Sequence, residues 1–435
     1  MADWTLPSDR LETRFPDKAP PLSETDAAQQ ATRCLYCYDA PCIQACPTSI
    51  DIPTFIRKIA TGNLRGSART ILSANLLGAS CARVCPVEVL CEGSCVYVAD
   101  DRPPVPIGRL QRYAMDHGAA TDLLEKKPAT GKRVVCIGAG PASLACAGTL
   151  ALLGHSPVIL ERNSLPGGLN TTGVAPYKMP ADASLAEVEF IRELGVEIRT
   201  GVEVGKDATA ADLLDEYEAV FLGIGLGPDS RLGVPGEHGP GVVGAVDWIE
   251  DMKTGAASVD GVESAAVIGG GNTAVDAVRE LLGLGVPCVQ YIYRRGEPQM
   301  GGYLHELHPS KKEGALILEN AAVTEILHQG GRVSALRIVE TENGLPTDQE
   351  LPELPVDLVV LAIGQAKLYR LAEQFTGVQC DARGRVIADE TTMATGNPKV
   401  FVGGDALNGG KEVVNAVHDG QVAARSIDKL IRGDA

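Results

Sequence analysis

Positive charge is scarce in this chain. Its 435 residues carry 39 Lys and Arg against 56 Asp and Glu, a net charge of −17, which argues against nucleic acid or an anionic membrane as a partner. Long apolar runs are missing too, and none reaches the ~18 residues that a membrane-crossing helix needs. The opening MADWTLPSDRLETRFPDKAP has acids and prolines but no apolar core, so it does not read as a secretory signal. No segment is of low complexity. These absences predict a cytoplasmic protein of two or three domains. In that compartment structural disulfides are rare.

What the chain does have is concentrated. Of its 12 cysteines, eight lie between Cys34 and Cys95. Cys34, Cys37, Cys42 and Cys46 sit in CLYCYDAPCIQACP, spaced C-x2-C-x4-C-x3-C-P. Cys81, Cys85, Cys91 and Cys95 follow in CARVCPVEVLCEGSC. The first run lies close to the bacterial ferredoxin spacing C-x2-C-x2-C-x3-C-P, with two extra residues in the middle gap. Zinc also takes four thiolates and stands as the alternative, although it more usually shows two CxxC knuckles. Cys136, Cys146, Cys288 and Cys380 occupy apolar sequence and read as small buried hydrophobes. Around the cysteine-rich runs FIRKIATGNLRGSARTIL repeats apolar residues at helical spacing, and no strand alternation appears. TDLLEKKPATGKR reads as a linker.

From residue 133 the character changes. VVCIGAGPASLACAGTLALLGHSPVILE places Gly138, Ala139, Gly140, Pro141 and Ala142 between an apolar strand and a helix, with Ser143 where a third glycine often sits. Glu161 ends the next strand, 23 residues after Gly138. In that context the glycines suit a tight turn and the close approach of a pyrophosphate, and the carboxylate suits ribose hydroxyls. A carboxylate there opposes a 2′-phosphate, so FAD or NAD is expected rather than NADP. Gly167-Gly168, and Asp405 at the end of a strand in VFVGGDALNGGKEVVNAV, favour FAD; the helix after Asp405 is expected to face the flavin.

The arrangement returns in AAVIGGGNTAVDAVRELLGLGVPCVQYIYRR, with Gly269, Gly271 and Ala274. Its second strand ends on Arg294 and Arg295 instead of an acid. Paired guanidiniums suit a 2′-phosphate, so NADPH is expected, with NADH as the alternative. FLGIG at 221–225 and LAIG at 361–364, which closes on Gly364, read as strands running into crossover glycines. No acid–base residue is expected to be catalytic, because hydride transfer needs stacking and positioning. His305, His308 and Met300 read as ordinary loop and surface groups.

Residues 34–113 resemble the N-terminal iron–sulfur domain of dihydropyrimidine dehydrogenase and of the glutamate synthase small subunit, through CLYCYDAPCIQACPTSIDIPTFI, NLLGASCARVCPVEVLCEGSC and VPIGRLQRYA. The glycine loops and the GGD motif at Gly404 and Asp405 extend the similarity over nearly the whole chain. The resemblance implies two 4Fe-4S clusters, one on Cys34, Cys37, Cys42 and Cys95, the other on Cys46, Cys85, Cys91 and Gln111. It leaves Cys81 as a non-ligand. It also implies that Gly168, Leu169, Lys178 and Val204 approach FAD, and that Gly270, Asn272 and Thr273, with Gly271, hold the NADPH pyrophosphate. The GRLQ segment is similar to the dihydropyrimidine dehydrogenase version. Gly301 departs from the large enzymes of the family, which have Arg there.

The expected architecture is α/β: a helical two-cluster iron–sulfur domain (1–128), then two Rossmann-like domains, the FAD domain (129–236 and 367–435) being split by the NAD(P)H domain (237–366). No barrel-length remainder, C-terminal ferredoxin run or amidotransferase domain is found. The resemblance therefore implies an electron-input subunit passing electrons to a separate FMN-containing dihydropyrimidine dehydrogenase subunit, in a heterotetramer. The alternatives are a glutamate synthase small subunit or a diaphorase-like module for another acceptor.

Overall fold

The structure is a computed structural model that describes residues 4–433. Among the described residues up to Gly118 there are helices and turns only. Ile52–Ala60 begins where the Asp51 side chain accepts the Thr54 amide at 3.1 Å, with a proline in its first turn. It ends at Gly62, whose φ of +75° is left-handed. Leu64–Ala74 restarts on Asn63, which accepts the Gly66 amide at 2.9 Å. The stretch with helical spacing is thus two helices, parted at Thr61–Asn63. With Ile107–Gly118 they bury Phe55, Ile56, Ile71 and Leu110 in a core of their own.

Strands β1 (Arg133–Ile137), β2 (Ser156–Glu161), β3 (Glu197–Thr200) and β4 (Ala219–Leu222) lie parallel in the order β4-β1-β2-β3, with Ile137 opposite Leu160. The chain then leaves this sheet. β5 (Val242–Gly244), β6 (Ser264–Ile268), β7 (Cys288–Tyr293) and β8 (Leu316–Glu319) enter a second sheet. An antiparallel group follows: β9 (Ala321–Gln329), β10 (Arg332–Glu342), β11 (Leu345–Glu350) and β12 (Leu354–Pro355). β13 (Leu358–Leu361) completes the second sheet as β5-β13-β6-β7-β8. β14 (Val400–Val402) then returns to the first, beside β4. Helices cover the central strands, so β1, β4, β6 and β13 are buried almost throughout, as parallel strands require.

The helical region is fastened to the first sheet. Glu187 accepts the Ala79 and Ser80 amides at 2.9 and 3.1 Å, at the start of the helix Gly78–Val84. Burial pushes its carboxyl up to about 7 despite those hydrogen bonds. The first residues run back across the molecule. Leu11 and Phe15 pack into the core around the second sheet, while Glu12 accepts the Ala181 amide at 2.7 Å beside the first. No helix among the described residues is long and apolar enough to cross a membrane.

Candidate nucleotide, flavin and iron–sulfur sites

A cleft of about 410 Å³ opens beyond the carboxyl ends of β1, β2, β4 and β14, where open parallel sheets take their ligands. Gly138 has φ +85°, and a Cβ there would lie 2.6 Å from the Gly223 carbonyl oxygen, so only glycine fits. Gly140 is different. Its φ of −76° suits any residue, yet a Cβ would meet nothing within 4 Å. Space is left open over the backbone at the N-terminus of the helix Pro141–Leu152, as a pyrophosphate needs. Glu161 is buried, accepting the Ala139 amide at 2.7 Å and the Asn163 amide at 2.8 Å. Ala139, Pro141, Ala142, Glu161, Gly168, Leu169, Lys178, Gly404 and Asp405 all line this cleft.

Val204 does not line the cleft; it is buried with Val158, Leu160 and Leu213. The helix that begins at Asp405 is a single turn, Asp405–Asn408. The element expected behind the GGD motif is instead the 20-residue helix Val413–Arg432, whose first turn lines the cleft. Asp405 is no helix cap: it accepts the Lys411 amide at 3.2 Å, and burial raises its carboxyl above the usual range.

The second glycine loop repeats the pattern. At Gly269, φ +144°, a Cβ would lie 2.2 Å from the Ala362 carbonyl oxygen. At Gly271 a Cβ would meet nothing, and the helix Asn272–Gly283 starts there, with Thr273 in its first turn. Gly270 is closed in, its carbonyl accepting the Gly302 amide at 2.9 Å. Arg294 and Arg295 are exposed at the end of β7, and among the described residues neither side chain has an ion pair or hydrogen bond. Arg295 reaches over the Tyr293 ring, 5.4 Å from its centroid. Gly364 is exposed, its carbonyl accepting the Ser230 amide at 2.8 Å; its neighbour Gln365 lines the flavin-side cleft. His305 stacks on Tyr303, its Nε2 3.3 Å from Glu88 Oε2 but without hydrogen-bond geometry.

The cysteines fall into two groups. Cys34, Cys37, Cys42 and Cys95 line one small cavity walled by Ile52, Ile56 and Val105. Burial, then the neighbouring Cys34 and Cys95 thiols, pushes Cys42 up to about 12. Cys46, Cys85 and Cys91 are neighbours in a second group; a hydrogen bond with Cys81 and then burial raise the Cys85 thiol, and burial, with Glu92 beside it, raises Cys91. Such thiols ionise when a metal centre supplies the positive charge. Among the described residues no three His, Cys, Asp or Glu side chains converge on one ion; the four thiols of the first group surround a cavity, a donor set that fits a 4Fe-4S cluster. Gln111 is buried, its Nε2 donating to the Gly78 carbonyl at 2.8 Å, so only its Oε1 would be left to meet a metal centre. Cys81 is buried and receives Asn75 Nδ2 at 3.2 Å. Cys136 and Cys146 are core residues as expected, whereas Cys288 and Cys380 are only half-buried.

Many lining residues were not singled out by sequence reasoning, and five of them tie the cleft to its neighbours. Val84 and Pro86 bring the cysteine-rich region into the flavin-side cleft, and Asp276, Tyr303 and Glu306 bring in the second half. Val84 and Pro86 flank Cys85, and Asp276 is an acid inside the otherwise apolar AVDAV; those were the available signals.

Residues 124–420 match the family described as pyridine nucleotide-disulphide oxidoreductase, and residues 11–123 match dihydropyrimidine dehydrogenase domain II, 4Fe-4S cluster. The chain belongs to the pyridine nucleotide-disulphide oxidoreductase family and carries that 4Fe-4S domain ahead of the oxidoreductase part. It is an NAD(P)H-dependent oxidoreductase. Among its relatives, the glutamate synthase (NADPH) small chain of Escherichia coli K12 is 34% identical over 94% of this chain and 92% of its own. The NAD-dependent dihydropyrimidine dehydrogenase subunit PreT of the same organism is 34% identical over 95% and 96%. Thioredoxin reductase of T. acidophilum shares the fold over 69% of this chain and 98% of its own, with TM-score 0.56 and 24% identity. Mycobacterium tuberculosis FprA in complex with NADPH does so over 70% and 85%, with TM-score 0.57 and 20% identity.

Proposed function

We propose that the chain is the electron-input subunit of a cytoplasmic dihydropyrimidine dehydrogenase. NAD(P)H lies over Gly269–Thr273, with Arg294 and Arg295 beside a 2′-phosphate, and FAD lies over Gly138–Ala142 with Glu161 on its ribose. One 4Fe-4S cluster is held by Cys34, Cys37, Cys42 and Cys95, and a second by Cys46, Cys85, Cys91 and Gln111. Bound FAD converts a hydride into electrons released singly, which iron–sulfur centres can carry. The protein's part is to hold the two dinucleotides in register, exclude water and set the path onward. The acceptor is an FMN-containing partner that interconverts uracil or thymine and their 5,6-dihydro forms.

The observation that carries this reading is Val84 and Pro86. They flank Cys85 and form part of the flavin-side cleft wall, so a cluster ligand is adjacent to the flavin site. The other cysteine cavity is lined in part by Leu35, which is exposed. A second reading, the small subunit of glutamate synthase, is supported by the equal 34% identity to that chain. Gln111 favours the first.

The test is anaerobic titration with one equivalent of NADPH and then NADH, followed by absorbance and low-temperature EPR, with iron and zinc counted. Flavin bleaching with about eight irons per chain is expected; flavin with zinc alone would remove the electron relay. Co-purification with an FMN barrel subunit, rather than a glutaminase-containing one, separates the two readings.

A further inference from the structure

Two exposed arginines whose side chains have no partner need their backbone held if they are to face a ligand. The antiparallel strands β9–β12, which the proposed electron path does not use, reach across to that strand end. Thr341 on β10 is buried, and its hydroxyl donates to the Arg294 carbonyl at 2.8 Å. Its amide donates to the Asn320 carbonyl at 2.7 Å, and the Asn320 amide donates to the Arg295 carbonyl at 3.2 Å. The pairing of β10 with β9 stops one residue earlier, at Glu340 opposite Ala321, and the register with β11 shifts between Val339 and Thr341. Such an irregularity re-aims a side chain out of its ladder. Here it turns Thr341 onto the end of β7.

The turn between β10 and β11 completes the hold. Gly344 is buried there with φ +81°, and a Cβ would lie 3.1 Å from Arg295 Cγ and 3.5 Å from the Arg294 carbonyl oxygen. Two acids beside this loop are engaged elsewhere: Glu297 pairs with Lys311 at 2.8 Å, and Glu319 accepts the Glu297 amide at 2.7 Å. The two arginines are thus held by backbone and stem, with their guanidinium N–H groups left for a ligand. The second glycine loop is adjacent, since a Cβ on Gly270 would lie 2.7 Å from the Tyr293 ring. An arginine loses rotamer freedom when it grips a phosphate. Fixing its backbone in advance lowers that cost and leaves the rest of the nucleotide unaffected.

We infer that Thr341 and Gly344 are positioning residues that set the choice between the two nicotinamide nucleotides, Thr341 by fixing the Arg294 backbone and Gly344 by leaving room for the Arg295 stem. The inference rests on the reading of Arg294 and Arg295 as the 2′-phosphate site. It places the selection of the electron donor partly in a hairpin that lies outside both the glycine loop and the strand that carries the arginines.

Anaerobic calorimetric titration of the oxidised holoprotein with NADP⁺ and with NAD⁺, which differ only in the 2′-phosphate, tests it. Wild type is expected to bind NADP⁺ the more tightly. Thr341→Val keeps the shape of the side chain and removes the hydroxyl. It is expected to weaken NADP⁺ binding by about tenfold, the worth of one hydrogen bond, and to leave NAD⁺ binding within about twofold. Thr341→Ser keeps the donor and should bind NADP⁺ much as wild type does. Gly344→Ala presses a Cβ against the Arg295 stem and should weaken NADP⁺ selectively, to a smaller degree. A hairpin with a purely structural role would weaken both nucleotides alike or neither. An unchanged ratio of the two affinities in folded Thr341→Val, or equal weakening of both, overturns the inference. If that variant does not fold, the same ratio in Gly344→Ala decides it. Wild type that binds NAD⁺ as tightly as NADP⁺ would instead overturn the 2′-phosphate reading of the arginines.

Discussion

After β1 and again after β6 the chain makes the same move: one glycine forced by a carbonyl across the sheet, a second with open space above it, and a helix starting at once. The following strands then part. β2 ends on Glu161, buried and engaged by two amides; β7 runs out into Arg294 and Arg295, exposed and with no side-chain ion pair or hydrogen bond among the described residues. On the proposed reading the backbone device would serve phosphate in both halves, and the charge at one strand end would distinguish the nucleotides: a carboxylate already held by two amides in one half, exposed guanidiniums in the other.

The largest effects are expected from closing the open spaces. Gly140→Val and Gly271→Val both fit extended backbone, and a Cβ at either position would meet nothing within 4 Å. Gly140→Val should abolish flavin retention in a folded protein. Gly271→Val should keep the flavin and weaken NAD(P)H binding by about a hundredfold, since a buried ligand contact is blocked outright. Flavin absorbance per chain and nucleotide titration check both; equal loss of flavin in the two variants would merge the sites.

The seam joining the halves has its own pH signature. Lys253 is buried in the second half, donating to the Val174 and Met179 carbonyls of the first at 2.8 and 2.9 Å. Burial lowers its ammonium to about 8 against the opposing pull of Glu12. Its folded pKa lies below the unfolded one, so the unfolded chain binds the extra proton between about pH 8 and 10.5. Stability from this group is fully present above that window and is lost as pH falls through it, by on the order of 3 kcal/mol. Denaturant unfolding of wild type should show that rise from pH 8 upward relative to Lys253→Met; parallel profiles would contradict it.

A smaller effect is expected at the strand ends. Replacing Arg294 and Arg295 together by alanine should cut the preference for NADPH over NADH by about 10- to 100-fold, the worth of a charge-assisted contact or two, and leave NADH binding unchanged. Steady-state kinetics with each nucleotide reads this. Glu161→Gln should be mildest, weakening flavin binding by about tenfold as one amide loses its acceptor, which apoprotein reconstitution measures.

Much of this was legible in residues. The glycine loops, Glu161 and the helical N-terminal region follow from local spacing. The halves also interleave in the expected order, because the strand carrying the GGD motif could pair only with the sheet that began the fold. The antiparallel strands β9–β12 carry no glycine signature, and nothing local announced them. Asp276, Glu306 and Lys178 meet across 98 and 128 residues of chain, and no periodicity reports a contact made by docking two sheets. The misplaced helix after Asp405 shows the limit of a motif: it marked the bend correctly, and one turn plus a glycine-rich loop intervened.

Val84 and Pro86 close one wall of the flavin-side cleft from the region that carries Cys85. On the proposed reading, delivery of iron and sulfide and entry of the flavin would act on one shared wall, so a shortage of either cofactor would be felt by the other's site before any electron moved.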